Sequence, residues 1–279
     1  MSNSGALIPF LILMAVVLGS TLYMFWYPGW QRKRLLAKPV PPSWLVSIHQ
    51  ALPFFDKMSD DEQQQLLDLV RLFIADKTFH GCAGIQISDE IRLTIAAEAC
   101  LLLLNRHTGI YPDLKHILVY PSAFRAVHDT RNPDGTRSST ERGLLGESWQ
   151  TGKVIVSWDD VVSDAANFHD GHNVVLHEFA HQLDSEDGSA NGAPVMPVKR
   201  LQAWATVFSR EFDELNDAAD RHHHAVMDYY GATNPAEFFA VATETFFEKP
   251  REMEHKHPDL FAQLSRYYRV DPRQWHDLP

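Results

Sequence analysis

Cysteine is nearly absent: only Cys82 and Cys100 occur in 279 residues, too few for a disulfide-built scaffold. With Cys100 inside the apolar run Ala99–Leu104, the pair reads as buried thiols in a reducing compartment. Positive charge is also short. The 25 Lys and Arg stand against 36 Asp and Glu, a net charge of −11, and no basic patch stands out in the body of the chain, which argues against direct nucleic-acid binding. There is no internal repeat, and no basic segment precedes the first apolar run, as it would in a cleaved signal peptide. What remains is globular in composition, with 45% hydrophobic and 22% charged residues, enough to bury a sizeable core.

The N-terminus does carry a long apolar run. Ala6 to Tyr27 is uncharged and as a helix extends about 33 Å, enough to span a bilayer. Trp26, Tyr27 and Trp30 form an interfacial aromatic belt, followed by Arg32, Lys33, Arg34 and Lys38. These features predict a single-pass anchor over 1–30 in the cell inner membrane, with the basic end and the whole C-terminal body in the cytoplasm. A basic, proline-rich linker is expected over 31–44, stiffened by Pro39, Pro41 and Pro42, and a single folded domain over 45–279.

Within the body, Ser59-Asp60-Asp61-Glu62 reads as a capping box opening a helix. Residues 89–105 are dense in Ile, Ala and Leu and predict a core helix. Ile117–Tyr120 and Val154–Trp158 are short β-branched and aromatic runs, expected as strands, and Thr130–Arg142 as an exposed loop. A long loop is expected over Ser185–Pro197. A helix over Val198–Ala219 carries an apolar stripe through Leu201, Trp204, Phe208 and Phe212. Asn234 and Pro235 open another, and a single last helix covers 251–268. The fold class is α+β, mostly helical with a small sheet.

The chemistry concentrates in Asn173–Asp184, NVVLHEFAHQLD. On a helix His177 and His181 project from one face a turn apart, a spacing that lets both grip one metal ion. Glu178 lies beside them, placed to act as a base toward water activated by that ion. Leu176, Phe179, Ala180 and Leu183 form a separate apolar stripe for burial. A hydrolytic zinc site takes a third protein ligand, and two residues compete. Asp187 lies six residues after His181, with Met196 downstream as a candidate methionine turn, but that pattern needs a glycine at position 184, where Asp184 stands. Glu237, in the first turn of a later helix, faces the histidines from a second element; the missing glycine and the helical context favour it. Asp184 and Glu244 are candidates to orient an imidazole from behind, each as readily a surface or capping residue. His222–His224 cannot all face one ion on a helix and read as a solvated stretch. The run Val154–Trp158 could receive an extended peptide along its edge.

GHNVVLHEFAHQLD, then DYYGATNPAEFFAVATETFF, with LGESWQTGKVIVSWDDV upstream, resemble the Mlc titration factor A family of zinc peptidases, itself similar to the catalytic domain of anthrax lethal factor. The likeness covers roughly 45–275 and leaves the anchor outside. It implies a zincin-like domain of gluzincin type, one zinc ion held by His177, His181 and Glu237, Glu178 as general base, and Tyr230 as the tyrosine that steadies an oxyanion. It also implies a peptide or protein substrate, aminopeptidase-type activity in some members, and binding of the glucose repressor Mlc without need of peptidase chemistry. The anchor puts a soluble repressor as partner in question. Two readings therefore stand: a membrane-anchored zinc peptidase, and a regulatory protein that sequesters a transcriptional repressor. A purely structural zinc protein is disfavoured, because such a site has no use for Glu178.

Overall fold

The computed structural model describes residues 4–106, 108–122, 129–131, 137–139 and 152–276. The chain divides between Val40 and Pro41 into two compact units.

The first unit is one helix, α1 (Ser4–Leu36), with Pro9 and Pro28 inside it. It is long and apolar enough to cross a membrane, a test that a signal sequence also passes. The polar residues that interrupt the run are satisfied within the helix. Ser20 Oγ donates to Val17 O at 2.9 Å, and Thr21 Oγ1 lies 2.9 and 2.8 Å from Val17 O and Leu18 O, so neither leaves a hydroxyl unpaired in an apolar medium. Tyr23 stacks on Tyr27 at 4.5 Å, Trp26 on Trp30 at 6.2 Å, and the Arg34 guanidinium lies 5.4 Å from the Trp30 ring centroid. The helix continues past residue 30, so Arg32–Arg34 lie on it, beside its negative C-terminal end. The non-helical stretch between α1 and the next helix is therefore shorter than the expected 31–44 linker.

The second unit begins with α2 (Pro42–Ala51) and α3 (Asp60–Asp76). Ser59 caps α3 in a complete capping box with Glu62. Next come β1 (Thr78–Gly81), α4 (Asp89–Leu101) and β2 (His116–Tyr120). A separate antiparallel pair, β3 (Asp129–Arg131) and β4 (Arg137–Ser139), occupies part of the segment expected as a loop; the rest of that segment and the LGESWQ part of the upstream motif lie outside the described residues. Then follow β5 (Lys153–Ser157), α5 (Trp158–Ala166), α6 (Val174–Asp184), α7 (Val198–Asp220), α8 (Pro235–Glu248), α9 (Pro250–Lys256) and α10 (Pro258–Tyr268).

The sheet is three parallel strands in the order β1-β2-β5. Ile117, Val119, Val154 and Val156 are buried on it, the alternation expected of strands with one covered face. The strand β1 was not expected: four residues, two of them Thr78 and His80, carry no readable alternation, and pairing with β2 creates it. The expected last helix is two, because Pro258 lacks an N–H and disfavours helical geometry at His257 (φ −133°, ψ 58°). Along α7, Trp204 and Phe208 are buried while Leu201 stays exposed. Both cysteines are free thiols, Cys100 buried but Cys82 only half-buried. Helices α4 and α8 are buried on nearly every side, their few acids included, and α6 packs against α4, α8 and β5. Phe179 of α6 seats its ring 4.8 Å from Tyr111 and 5.7 Å from Phe73.

Lys77, between α3 and β1, is a buried amine that ties chain segments together. Its Nζ donates to the carbonyls of Ile110, Tyr111 and Leu114 at 2.7, 2.7 and 2.9 Å, and to Asp76 at 2.8 Å. Burial lowers its pKa, which Asp76 partly offsets. Replacing it by methionine strands these carbonyls, so Lys77→Met is expected to cost about 2–4 kcal/mol in denaturant unfolding of the detergent-solubilised chain. A loss under about 0.5 kcal/mol would refute that role.

Candidate metal centre

Helix α6 starts at Asn173, whose Oδ1 accepts the Leu176 N–H at 2.8 Å. From there the helical period brings His177 and His181 to one face, with ring centroids 4.8 Å apart and their Nε2 atoms 3.1 Å apart. Helix α8 starts at Asn234, whose Oδ1 accepts the Ala236 and Glu237 N–H groups at 2.9 and 3.0 Å. Glu237 in its first turn places Oε2 3.1 Å from His177 Nε2 and 3.3 Å from His181 Nε2. These three side chains form a group able to hold a metal ion. Their separations of 3.1 to 3.3 Å match ligands about 2.0–2.1 Å from a common centre, whose tetrahedral edges measure about 3.3 Å. Two imidazole nitrogens and one carboxylate oxygen thus fit a small divalent cation.

Two turns further along α8, Glu244 reaches the back of the same imidazole. Its Oε1 lies 2.7 Å from His177 Nδ1, and its Oε2 accepts the Asn173 N–H at 2.7 Å. Two more acids hold the entry to α6. Asp164 accepts the Val174 N–H and Glu248 the Gly171 N–H, each at 2.8 Å. Burial raises the Asp164 carboxyl to about 6 and that of Glu248 to about 9. Glu98, wholly buried on α4, is pushed well above the carboxylate range by burial, with the charges of Asp164 and Glu248 adding to it. Burial lowers His181 to about 4, so its imidazole is neutral at neutral pH. Burial also opposes the charge of His177, but Glu244 and Glu237 overcome this and raise its pKa. Glu237 is held at about 2, burial being outweighed by the hydrogen bonds of His177 and His181.

Glu178 is buried on α6 beside the two histidines. Tyr230 sits in a short 3-10 turn, Tyr229–Ala232, whose cap Asp228 accepts the Tyr230 N–H at 2.6 Å. Its ring lies 5.9 Å from that of His177 and is 46% exposed, open to a substrate. Asp187 is not brought to the group. Helix α6 continues to Asp184 and passes into a 3-10 turn, leaving Asp187 exposed with Oδ1 on the Ser189 N–H and hydroxyl at 3.0 and 2.7 Å. Of the two residues considered for orienting an imidazole, Glu244 contacts one, whereas Asp184 accepts the Gly192 N–H at 2.8 Å. Met196 packs against the core, and His222–His224 are exposed. A second cluster, Glu211, Glu214 and His257, is occupied as an ion-pair network, with Arg210 and His257 each 2.7 Å from Glu211. Sequence reasoning missed Asp164 and Glu248 as anchors. Asn173, ahead of an apolar-periodic run, was the available signal that this helix end needed partners.

Sequence comparison places the chain among the metallopeptidases. It belongs to the glucose-regulated metallo-peptidase M90 family, whose model matches residues 27–269, and that membership implies a metal ion. An uncharacterized protein of Synechocystis sp. is 41% identical over 272 residues, 95% of this chain and 98% of the relative, so most of α1 lies inside that match. Mlc titration factor A of Serratia proteamaculans is 31% identical over 225 residues, covering 80% of this chain and 85% of its own. The Yersinia pestis protein of the same name is 30% identical over 233 residues, 82% and 86% of the two chains.

The Glu244 carboxylate faces His177 with one oxygen and holds the helix start with the other. Glu244→Gln keeps an acceptor for Asn173 but removes the charge behind the imidazole. Zinc affinity, measured by competition with a chelator, is expected to fall about 10- to 100-fold with the fold intact. Unchanged affinity would show that Glu244 serves only the helix start.

Proposed function

We propose that the chain is a membrane-anchored zinc peptidase of zincin-like, gluzincin type, with His177, His181 and Glu237 as the ligands of one zinc ion. The observation that carries this reading is the convergence of their three donor atoms at 3.1 to 3.3 Å from two different helices. A bound zinc ion supplies Lewis acidity and lowers the pKa of water toward neutrality. Glu178, buried beside the two histidines, would take a proton from the attacking water and deliver it to the leaving amine. Tyr230, exposed beside His177, donates its phenolic O–H to the carbonyl oxygen as charge develops there, a contact worth about 3 kcal/mol in comparable sites. The strand β5, outermost of the described sheet and packed on α6, offers its edge to an extended peptide. Aminopeptidase action remains within this reading as one form of the same chemistry.

A second reading concerns the partner. Relatives named Mlc titration factor A at 30 and 31% identity support a regulatory protein that captures a transcriptional repressor. The two activities are compatible, since capture needs a surface and hydrolysis needs the metal centre. The anchor reading rests on α1, with its exposed apolar side chains and the basic residues at its C-terminal end. The positive-inside rule orients it with the C-terminal unit in the cytoplasm.

Four outcomes test these assignments, the first three on the full chain in detergent. Metal analysis is expected to find zinc lost in His177→Ala and Glu237→Ala and retained in Asp187→Ala; loss in Asp187→Ala with retention in Glu237→Ala would reverse the ligand assignment. Glu178→Gln should keep zinc and abolish peptide turnover, and Tyr230→Phe should keep zinc and lower kcat by about 10²–10³-fold. Undiminished turnover in Glu178→Gln would end the enzymatic reading. Repressor capture should survive both changes, whereas loss in both would tie the partner to the metal cleft. For topology, protease added to intact cells should leave the C-terminal unit uncut, and its digestion from outside would invert the orientation.

A further inference from the structure

A cavity of about 400 Å³ is lined by Gly171, His172, His222, His224, Tyr229 and Lys249 among others. Two of its lining residues are next in sequence to residues of the metal centre. His172 precedes Asn173, the cap of the histidine helix, and Tyr229 precedes Tyr230, whose ring lies 5.9 Å from His177. Lys249, the residue after α8, lies with its stem across Gly171. A Cβ at position 171 would stand 3.2 Å from Nζ and 3.3 Å from Cδ and Cε, and Gly171 holds φ +83°, so the glycine lets this side chain lie against the backbone.

The charges in the cavity are unevenly satisfied. Asp170 accepts from Asn167 Nδ2 at 2.6 Å and from the His172 N–H at 3.0 Å. Asp228 accepts the Tyr230 N–H at 2.6 Å, and its other oxygen lies 3.6 Å from His172 Nε2. The His224 Nδ1 lies 3.1 Å from the Ala225 carbonyl. Lys249, a half-buried residue, by contrast makes no side-chain ion pair or hydrogen bond among the described residues. An ammonium lining a cavity without a paired counter-charge is the group there that an anionic ligand would satisfy.

We infer that this cavity is a substrate subsite that receives a carboxylate of the peptide, with Lys249 as the residue that selects it. The inference rests on the peptidase reading and names its substrate class: peptides bearing an acidic side chain, or a free C-terminus, at one fixed distance from the cleaved bond. A monoanion suits the site because one ammonium faces it while Asp170 and Asp228 stand on the walls, where they would repel a dianionic phosphate. The neighbouring imidazoles can donate to the same carboxylate.

The test uses the full chain in detergent, zinc-loaded and carrying Glu178→Gln so that peptides bind without being cut. Peptide pairs differ by Glu against Gln at successive positions, or by a C-terminal acid against its amide, and calorimetry reads the affinities. At one position the carboxylate is expected to bind about tenfold tighter, the value of one charge-assisted hydrogen bond in a partly exposed site. Lys249→Met, which keeps the stem over Gly171, should abolish that difference, and Lys249→Arg should retain it. Which pair responds distinguishes a side-chain carboxylate from a terminal one. No preference at any position, or a preference that survives Lys249→Met, overturns the inference. Turnover by the chain with Glu178 intact separates the two readings: turnover without carboxylate preference overturns the subsite alone, and preference without turnover overturns the peptidase reading alone.

Discussion

One carboxylate joins the two helices that make this site. Glu244 places one oxygen 2.7 Å from His177 Nδ1 and the other on the Asn173 N–H at 2.7 Å, so the rotamer of a candidate ligand and the start of its helix depend on the same group. The first N–H groups of any helix lack intrahelical partners, and at a buried helix start they must find acceptors elsewhere. Here Asp164, Glu244 and Glu248 supply them to Val174, Asn173 and Gly171. Because Glu237 and Glu244 both ride on α8, seven residues and about 10.5 Å of helical rise apart, the position of the carboxylate in front of His177 is locked to that of the one behind it.

Burying so many acids together would be costly if all were charged. The shifts show how this is avoided. Glu248, raised to about 9, is protonated at neutral pH and accepts the Gly171 N–H with a neutral carboxyl. Burial likewise pushes Glu98 well above the usual carboxylate range. Negative charge is concentrated at Glu237, held near 2 by the two histidines. That places charge where a cation can use it. With His181 neutral and His177 set between two carboxylates, a divalent ion and a proton compete for the same small volume, as is general where ligands must be deprotonated to bind.

Much of this arrangement was legible in the chain. The four-residue spacing of His177 and His181, the capping residues Asn173 and Asn234, and the i, i+7 relation of Glu237 and Glu244 are local properties, and helix geometry turns them into positions. Ser59 and Glu62 likewise formed their capping box from adjacent residues alone. What was not legible depends on partners distant in sequence. The strand β1 has no periodicity of its own and exists through its register with β2. Asp164 and Glu248 look like ordinary surface acids until α5 and α8 are folded against the α6 entry. Even the break at Pro258 required weighing a strong apolar period on both sides against one missing N–H.

The loop after the histidine helix shows why the third donor comes from α8. A ligand at Asp187 would require the chain to turn sharply at position 184, but Asp184 is buried and pulls the loop back by accepting the Gly192 N–H. Gly192 is fixed from the other side by Trp204, whose Nε1 donates to its carbonyl at 2.9 Å. It also lies so close to α8 that a Cβ there would stand 2.3 Å from the Pro235 carbonyl oxygen, at a φ of +77°; only glycine fits. The loop is therefore a wedge between α7 and the first turn of α8, two residues before Glu237. A segment that could have carried a ligand instead presses on the helix that bears the candidate one. The first turn of α8 is held by this wedge at Pro235 and by the Asn234 cap, and further along Glu244 ties the same helix to His177. Constraint at both ends of one rigid element sets Glu237 against the two histidines with a precision that a carboxylate on a free loop would not have.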